Sequence, residues 1–209
     1  LKQPVEYTEA ERRAIATHEA GHATVAYLVG KGRKLEVLSI IKRGDSLGLL
    51  AHSELEERFT NTKSEIEARI KIALGGMVAE ELFFGESGTG PAGDLQQATL
   101  AAAMMVGSLG LGGTLVSYDA ANGPGGPNLV AKVLSSDTGR EAAEGILTSA
   151  KAEVTKLLDE NRHVIEALRD ALLERDELIG EDILDVVRKA EAPTIDLRSM
   201  QELLEAEDS

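Results

Sequence analysis

The chain has no cysteine, no tryptophan and only 3% aromatic residues among its 209. Without cysteine there can be no disulfide and no thiolate metal site, which is consistent with a reducing compartment. With so few rings, Ala, Leu, Ile and Val must fill the core, and that favours packed helices over a β-sandwich. Basic residues are scarce: 22 Lys and Arg stand against 36 Asp and Glu, a net charge of −14 that argues against a nucleic-acid partner. No apolar run approaches the ~20 residues needed to span a bilayer, and no signal peptide is visible. The phosphate-binding pattern of nucleotide motors is also missing, because Gly30-Lys31 lacks the upstream Gly and the following Ser or Thr. There is no internal repeat and no sustained heptad. The chain starts at Leu1, not Met, which we read as a piece of a longer protein. The length suits one sizeable domain or two small ones.

The chain does carry His18-Glu19-Ala20-Gly21-His22, an H-E-x-x-H motif inside a helical pattern. One helical turn brings residues i and i+4 onto the same face, so both imidazoles can converge on one metal ion. Glu19 is then adjacent and can act as general base on water, as in zinc peptidases. Two surface histidines and a solvated glutamate would read the same way on the pentapeptide alone.

Around it the chain organises into helices. Thr8 and Glu11 form a capping box that opens the first helix, which Gly30 and Gly32 close. Leu35 to Lys42, a turn at Arg43-Gly44-Asp45-Ser46, and Leu47 to His52 predict a β-hairpin or small sheet. A second capping box, Thr62 and Glu65, opens a helix to about Phe84, stopped by Gly85. Gly75-Gly76 in its middle costs roughly 2 kcal/mol relative to alanine, which favours a close approach to another helix, the metal-binding one above all. A Gly/Ser/Pro loop, Glu86 to Gly93, leads to Asp94 and a third helix from Leu95 to about Val106. Residues 107–128 are glycine-rich and are expected to form a mobile loop. Helices follow from Thr138 to Asp159, after the break at Asn161-Arg162 to about Arg175, and from Glu181 to Ala190. The sequence thus predicts a mainly α fold with a small sheet near residues 35–52. Residues 1–192 make the domain, with the catalytic helices in 8–106 and the C-terminal helices in 138–190. An acidic tail, 193–209, is expected to be loosely ordered.

A catalytic zinc usually takes three protein ligands and leaves one position open. The extended pattern with a further histidine is excluded, since Val25 and Leu28 stand where Gly and His are needed. Glu80 and Glu81 on the Gly75-Gly76 helix, and Asp94 at a loop-to-helix junction, remain as candidates. Asp94 to Gln97 also reads as an ordinary N-cap with its partner three residues on. The residues alone leave the choice open.

Four stretches resemble, in order and spacing, the peptidase domain of the FtsH family of membrane-anchored ATP-dependent zinc proteases. They are Thr17 to Ala23, Val37 to Gly48, Leu74 to Gly85, and Gly93 to Thr99; Leu172 to Ile183 is similar as well. The resemblance covers residues 8–190. It implies a helical zinc-peptidase fold with one zinc per chain held by His18, His22 and Asp94. It also implies Glu19 as the base and Glu80 as a residue that orients a ligand imidazole through its other nitrogen. Met77, Leu109-Gly110 and Gly93 depart from the family's usual Arg, Trp-Gly and Asn, which touches loop detail and not the ligands. The implied activity is hydrolysis of peptide bonds in unfolded or damaged polypeptides. The implied parent is a hexamer on the cytoplasmic face of a membrane, with ATP used only by a AAA module absent from this chain; the fragment itself is expected to be soluble. Two alternatives stand beside this: a metal-binding but inactive assembly or adaptor module, and a peptidase with Glu80 as third ligand.

Overall fold

The structure is a computed structural model that describes residues 7–43, 47–54, 60–120 and 128–192. The acidic tail, residues 121–127 and most of the turn expected at 43–46 lie outside the described residues. The fold is mainly helical with one small antiparallel sheet. None of the described helices is long and apolar enough to cross a membrane.

Helix α1 spans Glu9–Val29 and α2 spans Lys63–Phe84. Both capping boxes form as the sequence predicts. Glu11 Oε2 accepts the Thr8 amide at 2.8 Å, and Glu65 Oε2 accepts the Thr62 amide at 2.7 Å. Gly85 ends α2 in the left-handed region at φ 80°. The expected close approach of α2 to the histidine helix is also present. A Cβ on Gly21 would lie 2.4 Å from the Gly75 carbonyl oxygen, so the two backbones touch where no side chain fits between them. This seam buries α1 continuously from Ala16 to Ala26, His18, Glu19 and His22 included.

Strands β1 (Arg33–Ser39) and β2 (Leu49–Glu54) form the expected antiparallel pair, with a register irregularity between Leu35 and Val37. The sheet has a third member that the sequence reading did not include. Strand β3 (Glu177–Ile179) pairs with β1 on its other side, giving the order β2-β1-β3 and leaving β2 at an edge.

Helix α3 spans Ala92–Gly107, so it starts three residues before the expected Leu95. Helix α4, Leu129–Ser135, was also not expected; the Asn128 side chain caps it by accepting the Ala131 amide at 3.2 Å. Helices α5 (Asp137–Glu160), α6 (Arg162–Arg175) and α7 (Glu181–Glu191) follow near their predicted bounds.

The buried apolar residues form two clusters. One packs α1, the sheet, α6 and α7 around large aliphatic side chains such as Leu38, Ile165, Leu168, Leu172 and Ile183. The other joins α2, α3, α4 and α5 and is rich in alanine, including Ala98, Ala102, Ala103 and Ala143. Small side chains let α3 pack close to α2, which sets the distance between Asp94 and the histidine helix.

Candidate metal centre

His18 and His22 leave α1 one turn apart, on the face turned to α2 and α3. Their Nε2 atoms lie 2.9 Å apart. Asp94 Oδ2 stands 3.1 Å from the Nε2 of His18 and 3.3 Å from that of His22. Asp94 is not the N-cap that its D-x-x-Q context allowed. Helix α3 is preceded by Pro91 with no side-chain cap, and Asp94 lies within the first turn, where its carboxylate reaches the two imidazoles.

The three ligand atoms make a triangle whose edges are close to the roughly 3.3 Å expected between ligands of a tetrahedral zinc with ~2.05 Å bonds. The far ring nitrogens fix the chemistry of the near ones. His22 Nδ1 is 2.7 Å from the Ile72 carbonyl oxygen, which can only accept, so Nδ1 carries the proton. His18 Nδ1 donates to Glu80 Oε1 at 2.6 Å. In their neutral forms both rings therefore turn an Nε2 lone pair towards the same point as a carboxylate oxygen. Three such donors facing one another repel unless a cation lies between them, so His18, His22 and Asp94 fit a divalent metal.

Electrostatics at the site follow from the same contacts. Burial alone would lower the pKa of His18, but the Asp94 and Glu80 carboxylates reverse this and raise it to about 9. Burial works against ionised Asp94, yet hydrogen bonds and charge from both imidazoles hold its carboxyl well below the usual range. Glu80 is also lowered, against the effect of burial, by His18 and by the Gly88 amide, which donates to its Oε2 at 2.6 Å. Glu80 thus ties a candidate ligand to the loop before α3. It does not converge with the three ligand atoms, and Glu81 turns away to pair with Lys151 at 2.8 Å.

Glu19 is buried beside the site, and burial raises its pKa; His22 and His18 pull it down, and Asp94 adds to the rise. Its side chain lies under Gly48, just before β2, where a Cβ would be 2.3 Å from Glu19 Oε1. A Cβ on Gly76 would lie 2.4 Å from His18 Cε1. The roles of Ile72, Gly48 and Gly88 were not visible in the sequence. Two of them act through backbone atoms that any residue possesses, and Gly48 acts by lacking a side chain.

Residues 5–186 match the family model described as Peptidase family M41. The chain is similar to the ATP-dependent zinc metalloprotease FtsH of Methylococcus capsulatus, at 34% identity over 196 residues, 87% of this chain and 30% of that protein. It is 39% identical over 176 residues to the protein of the same name from Chlorobium luteolum, covering 80% of this chain and 25% of the relative. With ATP-dependent zinc metalloprotease FtsH 3 of Conexibacter woesei the identity is 36% over 184 residues, 85% of this chain and 24% of that one. The chain spans less than a third of the length of these relatives.

Proposed function

Since the chain belongs to peptidase family M41 and is a metallopeptidase domain by that membership, we propose that it hydrolyses peptide bonds with one zinc held by His18, His22 and Asp94. The observation that carries this reading is the convergence of two Nε2 lone pairs and a carboxylate oxygen on one point. Zinc, when bound, supplies a Lewis acid that polarises a carbonyl and brings the pKa of water towards ~7. Glu19 is the general base: its buried carboxylate takes a proton from the attacking water and delivers it to the departing amine. Its raised pKa suits both transfers. Glu80 fixes the tautomer and tilt of His18. An extended polypeptide adds along the edge of β2, which no other strand pairs among the described residues, and main-chain bonds hold it there without demanding a sequence.

In the parent protein this domain would be the peptidase part of a membrane-attached, hexameric, ATP-dependent protease. A AAA module would deliver unfolded or damaged polypeptides to it. The names of the relatives support the ATP-dependent, zinc-using part of that picture.

The test is metal content by plasma mass spectrometry after dialysis against trace-metal-free buffer, together with turnover of an unfolded labelled polypeptide. We expect about one zinc per chain. Glu19→Gln should keep the zinc and lose hydrolysis. Failure to take up added zinc, or unchanged turnover in Glu19→Gln, overturns the reading.

A further inference from the structure

Of the four histidines, two face the metal centre, His163 is exposed on α6, and His52 sits half-buried on the edge strand β2 with no part in the chemistry above. Side chains on a strand alternate between faces, so Gly48, Leu50 and His52 share one. Gly48 lies against Glu19 and Leu50 packs against the core that includes α1. His52 is therefore on the α1-facing side of the edge strand, about 13 Å along it from the point above the base.

Its hydrogen-bonding state is fixed. Arg33 Nη1 lies 2.6 Å from His52 Nδ1. A guanidinium only donates, so Nδ1 accepts and the ring proton sits on Nε2. Burial and the charges of Arg33 and Arg69, with a smaller contribution from His22, lower the pKa of the ring, against a rise from the Glu36 carboxylate. Nε2–H has no hydrogen-bond partner among the described residues. The result is a donor of set tautomer on the α1-facing side of the edge strand.

We propose that His52 is a positioning residue that selects substrates carrying a hydrogen-bond acceptor, a carboxylate above all, on the side chain about four residues from the scissile bond. The inference rests on the peptidase reading and on strand addition at β2. A peptide residue opposite His52 in an added strand brings its Cβ to about 5 Å on the same face. That face also carries the residue opposite Gly48, next to Glu19. A hydrogen bond to a charged acceptor is the stronger kind, so the imidazole N–H favours a carboxylate over a neutral acceptor.

The experiment measures binding of short labelled peptides to zinc-loaded Glu19→Gln chain by fluorescence anisotropy. The peptides differ only in having Glu, Gln or Leu at the fourth position from the cleavage site, on either arm. The Glu peptide should bind about tenfold more tightly than the Leu peptide, the worth of one hydrogen bond to a charged group. His52→Leu should erase that difference, and His52→Gln, which keeps a donor, should restore part of it. A merely structural role would weaken all three peptides equally. Discrimination that survives His52→Leu, or is absent from the start, overturns the inference and leaves the peptidase reading standing. Failure of every peptide to bind sinks both.

Discussion

His18 and His22 stand one turn apart on the same helix, yet the protein holds their far nitrogens by different means. His22 leans on a backbone carbonyl of α2, at Ile72, which no point mutation removes. His18 leans on the Glu80 carboxylate, which also holds the loop before α3 through the Gly88 amide. One ligand is thus set by the fold, through the glycine seam that brings α1 against α2. The other is set by a side chain and can be tuned by one substitution. The candidate metal centre accordingly has a rigid side and an adjustable side, with Asp94 facing both imidazoles from α3.

That contrast can be broken most sharply at Asp94. Asp94→Asn removes the carboxylate that faces both imidazoles and should abolish tight zinc binding in a chelator competition. Glu80→Gln should leave zinc bound and weaken it about 10- to 100-fold, the usual effect of losing a partner to a ligand imidazole. The reverse outcome, zinc retained in Asp94→Asn and lost in Glu80→Gln, would make Glu80 the ligand and our assignment wrong.

A smaller effect tests the adjustable side alone. Gly76→Ala places a methyl group against the His18 ring, at a distance no packing tolerates. His18 should be displaced with a loss of about 1–3 kcal/mol in thermal stability and weaker zinc binding, while the His22–Ile72 contact persists. An unchanged melting temperature and unchanged affinity would mean the ring has room that the structure does not show.

The smallest effect is on pH. In the metal-free chain His18 has its pKa raised to about 9, above the ~6.5 of an unfolded histidine. A raised pKa stabilises the fold when the group is protonated. That contribution is complete below about pH 6.5 and disappears as pH rises through about 9. The lowered carboxyls of Asp94 and Glu80 act with the opposite sign, losing their contribution as pH falls through their folded values. Metal-free chain should therefore unfold more easily at pH 9 than at pH 6.5, and zinc should cancel that alkaline loss. Melting curves with and without zinc that run parallel across this range would contradict it.

Much of this arrangement was legible in the sequence because it rests on local patterns. Thr8 and Thr62 marked the starts of α1 and α2, Gly85 marked a stop, and Gly75-Gly76 pointed to the close seam. The candidate for third ligand was not legible from the residues themselves. Asp94 to Gln97 reads as a cap in the sequence, whereas α3 opens after Pro91 without a side-chain cap and Asp94 falls within its first turn. Only the packing of α3 against α2 shows where that carboxylate goes. Helix α4 is only seven residues long and is marked in the sequence by a single capping residue, Asn128, at the end of the glycine-rich stretch. Strand β3 is three residues long, too short for any alternation to be read, and is made a strand by its pairing with β1.

That short strand also sets an order of events. β1 finds one neighbour, β2, about ten residues beyond its own end, but the other arrives only with Glu177 to Ile179, about 140 residues later. Until nearly the whole domain has left the ribosome, the strand beside the metal helix has an open flank able to pair with other chains. The sheet is thus completed only after α6, and the strand beside α1 depends on the C-terminal part of the chain for its second neighbour.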